Sequence, residues 1–238
     1  MNNTHPVSKP RRQILAQALF HPRALAVTLE SDPRWGYPAA LIILTTVVLD
    51  LLALPLFLRA LPQMAPSGLS PEMVAELVER SRILKPTQIL LSPFGLLAKW
   101  AITAFLLRLM ATLMNRPVHF RKLLALVVYA NVVHLLETVT KNLLLWSGYV
   151  ATGAIDLNPP VGVDALVHPS GVVGSTLLRY ANPFEVWFLA VLIRGVASLA
   201  GTTSVRGTAI VLPTWGFWLA ADLALALVRE ILTRQLGI

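Results

Sequence analysis

The chain has 238 residues, 55% of them hydrophobic and 13% charged, with a mean hydropathy of +0.66. That much apolar surface does not fit inside one soluble core of this length, so lipid must act as solvent for part of the chain, which excludes an ordinary soluble domain. The absence of cysteine excludes disulfides, thiolate metal sites and a thiol nucleophile, and a net charge of +8, carried by 15 arginines and 5 lysines beside apolar segments, points to anionic lipid headgroups rather than nucleic acid.

Residues 1–35 are mostly polar and read as a cytoplasmic N-terminal or interfacial segment. Within them, residues 13–20 and 23–30, broken at His21-Pro22, place Ile14, Leu15, Ala18 and Leu19 on one side with Arg11 and Arg12 flanking. This describes a helix resting on headgroups or a connecting helix packed on the bundle. Crossing ~30 Å of hydrocarbon at 1.5 Å per residue takes about 20 apolar residues. The first such run, 36–58, is preceded by too many polar residues and is too long to be the apolar core of a cleaved signal peptide, so it is expected to remain as an anchor. An outer loop, 61–88, follows. Inside it Ser70-Pro71 reads as a helix cap and first-turn proline, and Val74, Leu77, Val78 and Leu84 alternate with Glu72, Glu76, Glu79 and Arg80 as in an amphipathic surface helix.

Further runs occupy 89–114, 123–149, 184–203 and 208–232, separated by a Gly/Pro-rich outer loop at 150–183 and followed by a tail at 233–238. None shows the apolar/polar alternation of barrel strands. The expected fold is therefore all-α: a polytopic bundle of five transmembrane helices over residues 36–232, with interfacial amphipathic helices. Pro55, Pro93 and Pro213 should kink their helices, and Trp35, Tyr37, Trp146 and Tyr149 suit the aromatic belt. Lys9, Arg11, Arg12, Arg23, Arg34, Arg116, Arg121, Lys122 and Arg206 flank one side in short segments, so the N-terminus is expected in the cytoplasm and the C-terminus outside.

Charges inside the runs are the sharpest functional signal. Asp50, Glu137 and Asp222 face the energetic problem opposite Lys99, Lys141 and Arg194, since each unpaired charge at the bilayer centre costs roughly 2.5 to 3.5 kcal/mol. Asp50 with Lys99 and Arg194 with Asp222 are matched in depth, although Asp50–Arg194 and Asp222–Lys99 are open alternatives. Asn131, His134, Glu137, Thr138 and Lys141 recur at three- and four-residue steps as one polar stripe. These groups are either bundle glue, or a proton or ion relay or the lining of a polar substrate cavity. Arg59, Arg108 and Arg229 sit near helix ends, where they snorkel. Gly195, Ser198, Gly201 and Thr202 give the fourth helix a flat face for close packing, expected against the fifth helix rather than a second copy.

Leu19-Phe20-His21-Pro22 leading to Asp32-Pro33-Arg34-Trp35-Gly36-Tyr37-Pro38, and Asn182-Pro183-Phe184-Glu185-Val186-Trp187-Phe188-Leu189 running on to the 206–215 stretch, resemble the Yip domain family of five-helix membrane proteins. The resemblance implies the same helix number and a cytoplasmic N-terminus. Eukaryotic relatives interact with Ypt/Rab GTPases; a segment of about 35 residues is too short for a folded GTPase-binding platform, so that partner is not carried over. The third helix lacks a proline at Tyr129–His134, and Arg194 stands where a small or apolar residue is expected.

No metalloprotease helix, nucleophile elbow or phosphate-cradling glycine loop is present, and His5, His21, His119 and His168 lack ligand spacing. The expectation is a non-enzymatic multi-pass protein without cofactor or metal, in a bacterial cytoplasmic membrane. It would organise the membrane through helix packing and contacts with anionic lipids, a membrane-protein partner or a second copy. The alternative is a small transporter or ion-permeable protein that uses Asp50, Lys99, His134, Glu137, Lys141, Arg194 and Asp222.

Overall fold

The structure, a computed structural model, describes residues 11–65, 70–153, 155–157, 159–167 and 171–236. Lys9, His5, His168 and the side chains of Arg11, Arg12, Arg229 and Arg234 lie outside what is described, as does the end of the tail. The described residues form nine α-helices and one short 3₁₀ turn, with no strand. They are α1 (Arg11–Phe20), α2 (Pro22–Ser31), α3 (Gly36–Met64), α4 (Pro71–Leu113), α5 (Phe120–Ala130), α6 (Val132–Thr152), α7 (Val172–Tyr180), α8 (Pro183–Leu199) and α9 (Ser204–Leu236). Length and composition qualify four of them as spans, α5 and α6 counting as one, or five if the bent pair α7–α8 makes a single crossing.

The third span lies at the centre. Leu123, Ala125 to Ala130, Val132 and Val133 are buried on every side of the helix, whereas most of the other spans' surface faces outward. A helix apolar all round can be buried all round. At Asn131 the helix is interrupted but its ladder is not: Asn131 N–H donates to Val127 O at 3.0 Å and Leu135 N–H to Asn131 O at 3.0 Å.

Two expectations change. The sequence separates a surface helix in loop 61–88 from a span at 89–114, but α4 runs without a break through both for 43 residues. Ser70 caps its start by accepting Met73 N–H at 3.3 Å. Pro86 and Pro93 stay inside the helix. Pro93 offers no N–H to the Ile89 carbonyl one turn earlier, and Ser92 Oγ donates to that carbonyl at 2.8 Å instead. The fourth span also shifts. α8 ends at Leu199 and residues 200–203 form a turn, in which Thr202 N–H reaches Ala197 O at 2.8 Å and Gly201 N–H reaches Ser198 O at 3.1 Å around Gly201 at φ +57°. That Schellman geometry stops the helix at 17 residues, about 25 Å at 1.5 Å per residue. The loop ahead of it contains α7, which meets α8 at 56°.

The N-terminal helices belong to the same core. Ala18, Leu25, Ala26 and Leu29 are buried, α2 packs on α8 and α5, and Trp187 Nε1 donates to Leu19 O at 2.9 Å. Phe20 lies 6.0 Å from the Trp187 ring. The two sequence segments that carry the family resemblance therefore touch.

Close approach between α8 and α9 is supplied by Gly207: a methyl there would lie 2.6 Å from Ile193 O and 2.9 Å from Ala197 Cβ. Gly195 instead faces Leu126 of α5, whose Cδ1 would lie 2.5 Å from a methyl added there, and Gly201 serves the turn. The flat face expected against the fifth helix is thus divided among other jobs, because Gly195, two residues from both Ile193 and Ala197, points to the opposite side of α8 from the one that meets Gly207 of α9. Gly207→Leu should lower stability by about 1–3 kcal/mol through overpacking, while Gly216→Leu, where a methyl meets nothing, should not; thermal unfolding in detergent measures both. Ser92→Ala should cost about 1 kcal/mol in the wild type and nothing measurable in a Pro93→Ala background, where the restored N–H satisfies Ile89.

Candidate functional site

Four spans enclose a cavity of about 170 Å³ beside the α7–α8 corner, enough for several water molecules or a small polar group. α6 supplies the axis of its chemistry. His134, Glu137 and Lys141 follow at three and four residues, so a single helix face carries all three. Glu137 is held on both oxygens: Lys141 Nζ lies 2.8 Å from Oε1 and His134 Nδ1 3.3 Å from Oε2. Thr138 turns its hydroxyl to His134 O at 2.9 Å, and Asn131 Nδ2 donates to Val127 O at 2.8 Å. The stripe read from sequence is therefore one face, with Glu137 as its charged centre.

α8 enters the site through its first turn. Asn182 is the N-cap, with Oδ1 accepting Glu185 N–H at 2.7 Å and Nδ2 donating to Arg179 O at 2.7 Å. Nδ2 also lies 3.5 Å from Glu137 Oε1. Capping fixes Glu185 three residues later, pointed inward and only 8% exposed. Its Oε1 accepts Trp215 Nε1–H at 2.7 Å and its Oε2 lies 3.7 Å from His134 Nε2. The His134 ring rests on Phe188, with centroids 4.3 Å apart. A continuous polar path thus runs Lys141, Glu137, His134, Glu185, Trp215, crossing from α6 through α8 to α9.

Trp215, Trp218 and Asp222 line one stripe of α9. Asp222 accepts a hydrogen bond from Tyr180 Oη of α7, and the Tyr180 ring meets Trp215 edge-on at 5.8 Å. Trp218 Nε1 donates to Thr103 Oγ1 at 3.0 Å, and Thr103 in turn donates to Lys99 O at 2.7 Å. Lys99 Nζ sits 5.4 Å from the Trp218 ring centre, a cation–π contact. Among the described residues no three His, Asp or Glu side chains converge as a metal site.

Of the eight charged and polar residues picked out in sequence, Lys99, Asn131, His134, Glu137 and Asp222 line the cavity and Lys141 braces it from behind. Asp50 and Arg194 do not. Neither Asp50–Lys99 nor Arg194–Asp222 forms, and neither do Asp50–Arg194 or Asp222–Lys99; these groups share no contact within 4.0 Å. Equal depth is not equal azimuth: Asp50 lies on α3, which contributes nothing to the cavity, and Arg194 is exposed beside the buried face Val191, Leu192, Gly195 and Val196. Ending α8 at Leu199 also moves Arg194 from mid-span toward the helix end, where its side chain can snorkel. Arg59, placed near a helix end, donates to Tyr149 Oη.

Sequence reasoning missed Glu185, Asn182, Tyr180 and Arg179, along with the Trp100, Thr103, Trp215 and Trp218 walls. A signal for Glu185 existed: Asn182 with an acid three residues on is the signature of a capped helix start, and an acid fixed at such a start in a span must face protein. Trp215, Trp218 and Asp222 at three- and four-residue steps gave a second.

Comparison with curated proteins and with solved structures returns no match. The Yip1 domain family model matches residues 16–225, from within α1 to within α9, and so includes every helix that lines the cavity. The chain belongs to the Yip1 domain family.

Proposed function

We propose that this multi-pass membrane protein works without catalysis, as an organiser of the membrane in which it sits. The observation that carries the reading is the state of the two central acids. Glu137 and Glu185 are engaged by Lys141, His134, Asn182 and Trp215 from three spans, which is how charges act when they fix helix register rather than travel. A bundle so locked offers its outer faces to lipids with anionic headgroups, to a membrane-protein partner or to a second copy. The flanking arginines and the arginine-, alanine- and leucine-rich composition support a bacterial cytoplasmic membrane with the N-terminus inside and the C-terminus outside.

Locking has a direct test. Glu137→Lys and Lys141→Glu should each lose most of the folded, monodisperse protein, because breaking a buried pair costs about 3–5 kcal/mol, and the double reversal should recover a substantial part of it. Size-exclusion profiles in detergent supply the readout, and a double variant no better than the singles would sink the idea.

A second reading, a small transporter or proton-permeable protein, is favoured by one observation: the same network lines a cavity, and His134 stands between two carboxylates. Proton and ion flux in proteoliposomes separates the two. The organiser reading expects wild type, Asp222→Asn and Glu137→Gln all to match empty liposomes, whereas wild-type flux that vanishes in equally well-inserted variants would establish transport.

A further inference from the structure

We propose that the cavity is a phosphate-binding site, held by Lys99 and Arg179 and completed by the Trp100 indole N–H and the Thr214 hydroxyl. The inference goes beyond the organiser reading and does not depend on whether anything crosses the membrane.

Its basis is an imbalance in the cavity wall. The acids already have donors: Glu137 has Lys141, His134 and Asn182, Glu185 has Trp215, and Asp222 has Tyr180. The cations do not have acceptors. Among the described residues no carboxylate lies within 4.0 Å of Lys99 or of the Arg179 guanidinium; Lys99 sits over the Trp218 ring and meets the field of Glu185 only at longer range. Two neutral groups add to the deficit. Trp100 Nε1 and Thr214 Oγ1, on residues 1% and 4% exposed, are buried without a hydrogen-bond partner among the described residues although both residues line the cavity.

An indole N–H can only donate, and buried donors are normally satisfied. The missing component is thus something that brings acceptor oxygens and negative charge. An ammonium and a guanidinium at one cavity match phosphate oxygens, the guanidinium by its fork and the ammonium as a point charge. Phe188, Trp215 and Trp218 line the same space with aromatic surface, room for the apolar continuation of an ester. Glu185 and Asp222 on that wall limit the charge tolerated, which favours a singly ionised phosphate over a dianion. Such a group comes either from a membrane phospholipid or from free phosphate.

Intrinsic tryptophan fluorescence reads the site directly, since Trp100, Trp215 and Trp218 surround it. In one arm the full chain in lipid-free detergent is titrated with inorganic phosphate. In the other, phosphatidylglycerol is raised in nanodiscs of an uncharged, phosphate-free galactolipid. A saturable change is expected in at least one arm, weakened about tenfold or more in Lys99→Gln and Arg179→Gln and unchanged in Arg116→Gln, on the loop beyond α4. Saturation by inorganic phosphate identifies a free anion; saturation by phosphatidylglycerol alone identifies a lipid headgroup. Trp100→Phe keeps the ring packing and removes only the N–H, so it carries the test if Lys99→Gln fails to fold; weaker binding is expected there too. No saturable change in either arm, or wild-type affinity in both Arg179→Gln and Trp100→Phe, overturns the proposal.

Discussion

A carboxylate buried among apolar helices must be answered by protein, and in this molecule that demand falls on Glu185. It sits in the first turn of α8, where capping by Asn182 leaves it no freedom to turn away. Its oxygens then select their neighbours: the indole of Trp215 on α9 and the imidazole of His134 on α6. Because His134 also faces Glu137, and Glu137 holds Lys141, one helix start fixes the rotation of two other spans. Apolar packing alone would leave these rotations nearly degenerate, since lipid gives no hydrophobic preference for one apolar face over another.

The same demand explains the division of the interior into two halves. Toward α5 and the N-terminal helices, the core is dry and built from small and branched side chains, with Gly195 admitting Leu126 and Trp187 tying α8 to the α1–α2 corner. Toward α7 and the middle of α9 the core is polar and hollow, and its aromatic residues, Phe188 apart, are Trp and Tyr, which combine an apolar body with a polar tip. α8 is the partition: Glu185, Phe188 and Leu192 on one face line the hollow half, while Trp187 and Gly195 on another face the dry one.

How much of this was legible in the sequence follows from what periodicity encodes. Apolar length located the apolar helices, and three- and four-residue spacing placed His134, Glu137 and Lys141 on one face, because both signals are local to one helix. Pairing across helices is not local. Asp50 and Lys99 share a depth but face different directions, and no count along the chain reveals azimuth. The extent of α4 was hidden for another reason: Pro86 and Pro93 normally argue for breaks, and the Ser92 hydroxyl that compensates Pro93 is a single side-chain contact with no periodic signature. Glu185 was overlooked because the residue types that cap a helix are also those that begin an interfacial loop.

α4 has a mechanical consequence. Its 43 residues measure about 65 Å, whereas a hydrocarbon core of ~30 Å takes up only about 40 Å of helix even at a 40° tilt. The remainder stands clear of the lipid core, starts at the capped Ser70–Pro71 end and carries Glu72, Glu76, Glu79, Arg80 and Arg82. With no break between that end and Lys99 and Trp100, the helix is a lever whose short arm is a wall of the cavity. The position of the exposed tip and the shape of the hollow half are thus linked through a single helix, with Pro86 and Pro93 as the points between them where the backbone ladder lacks a donor.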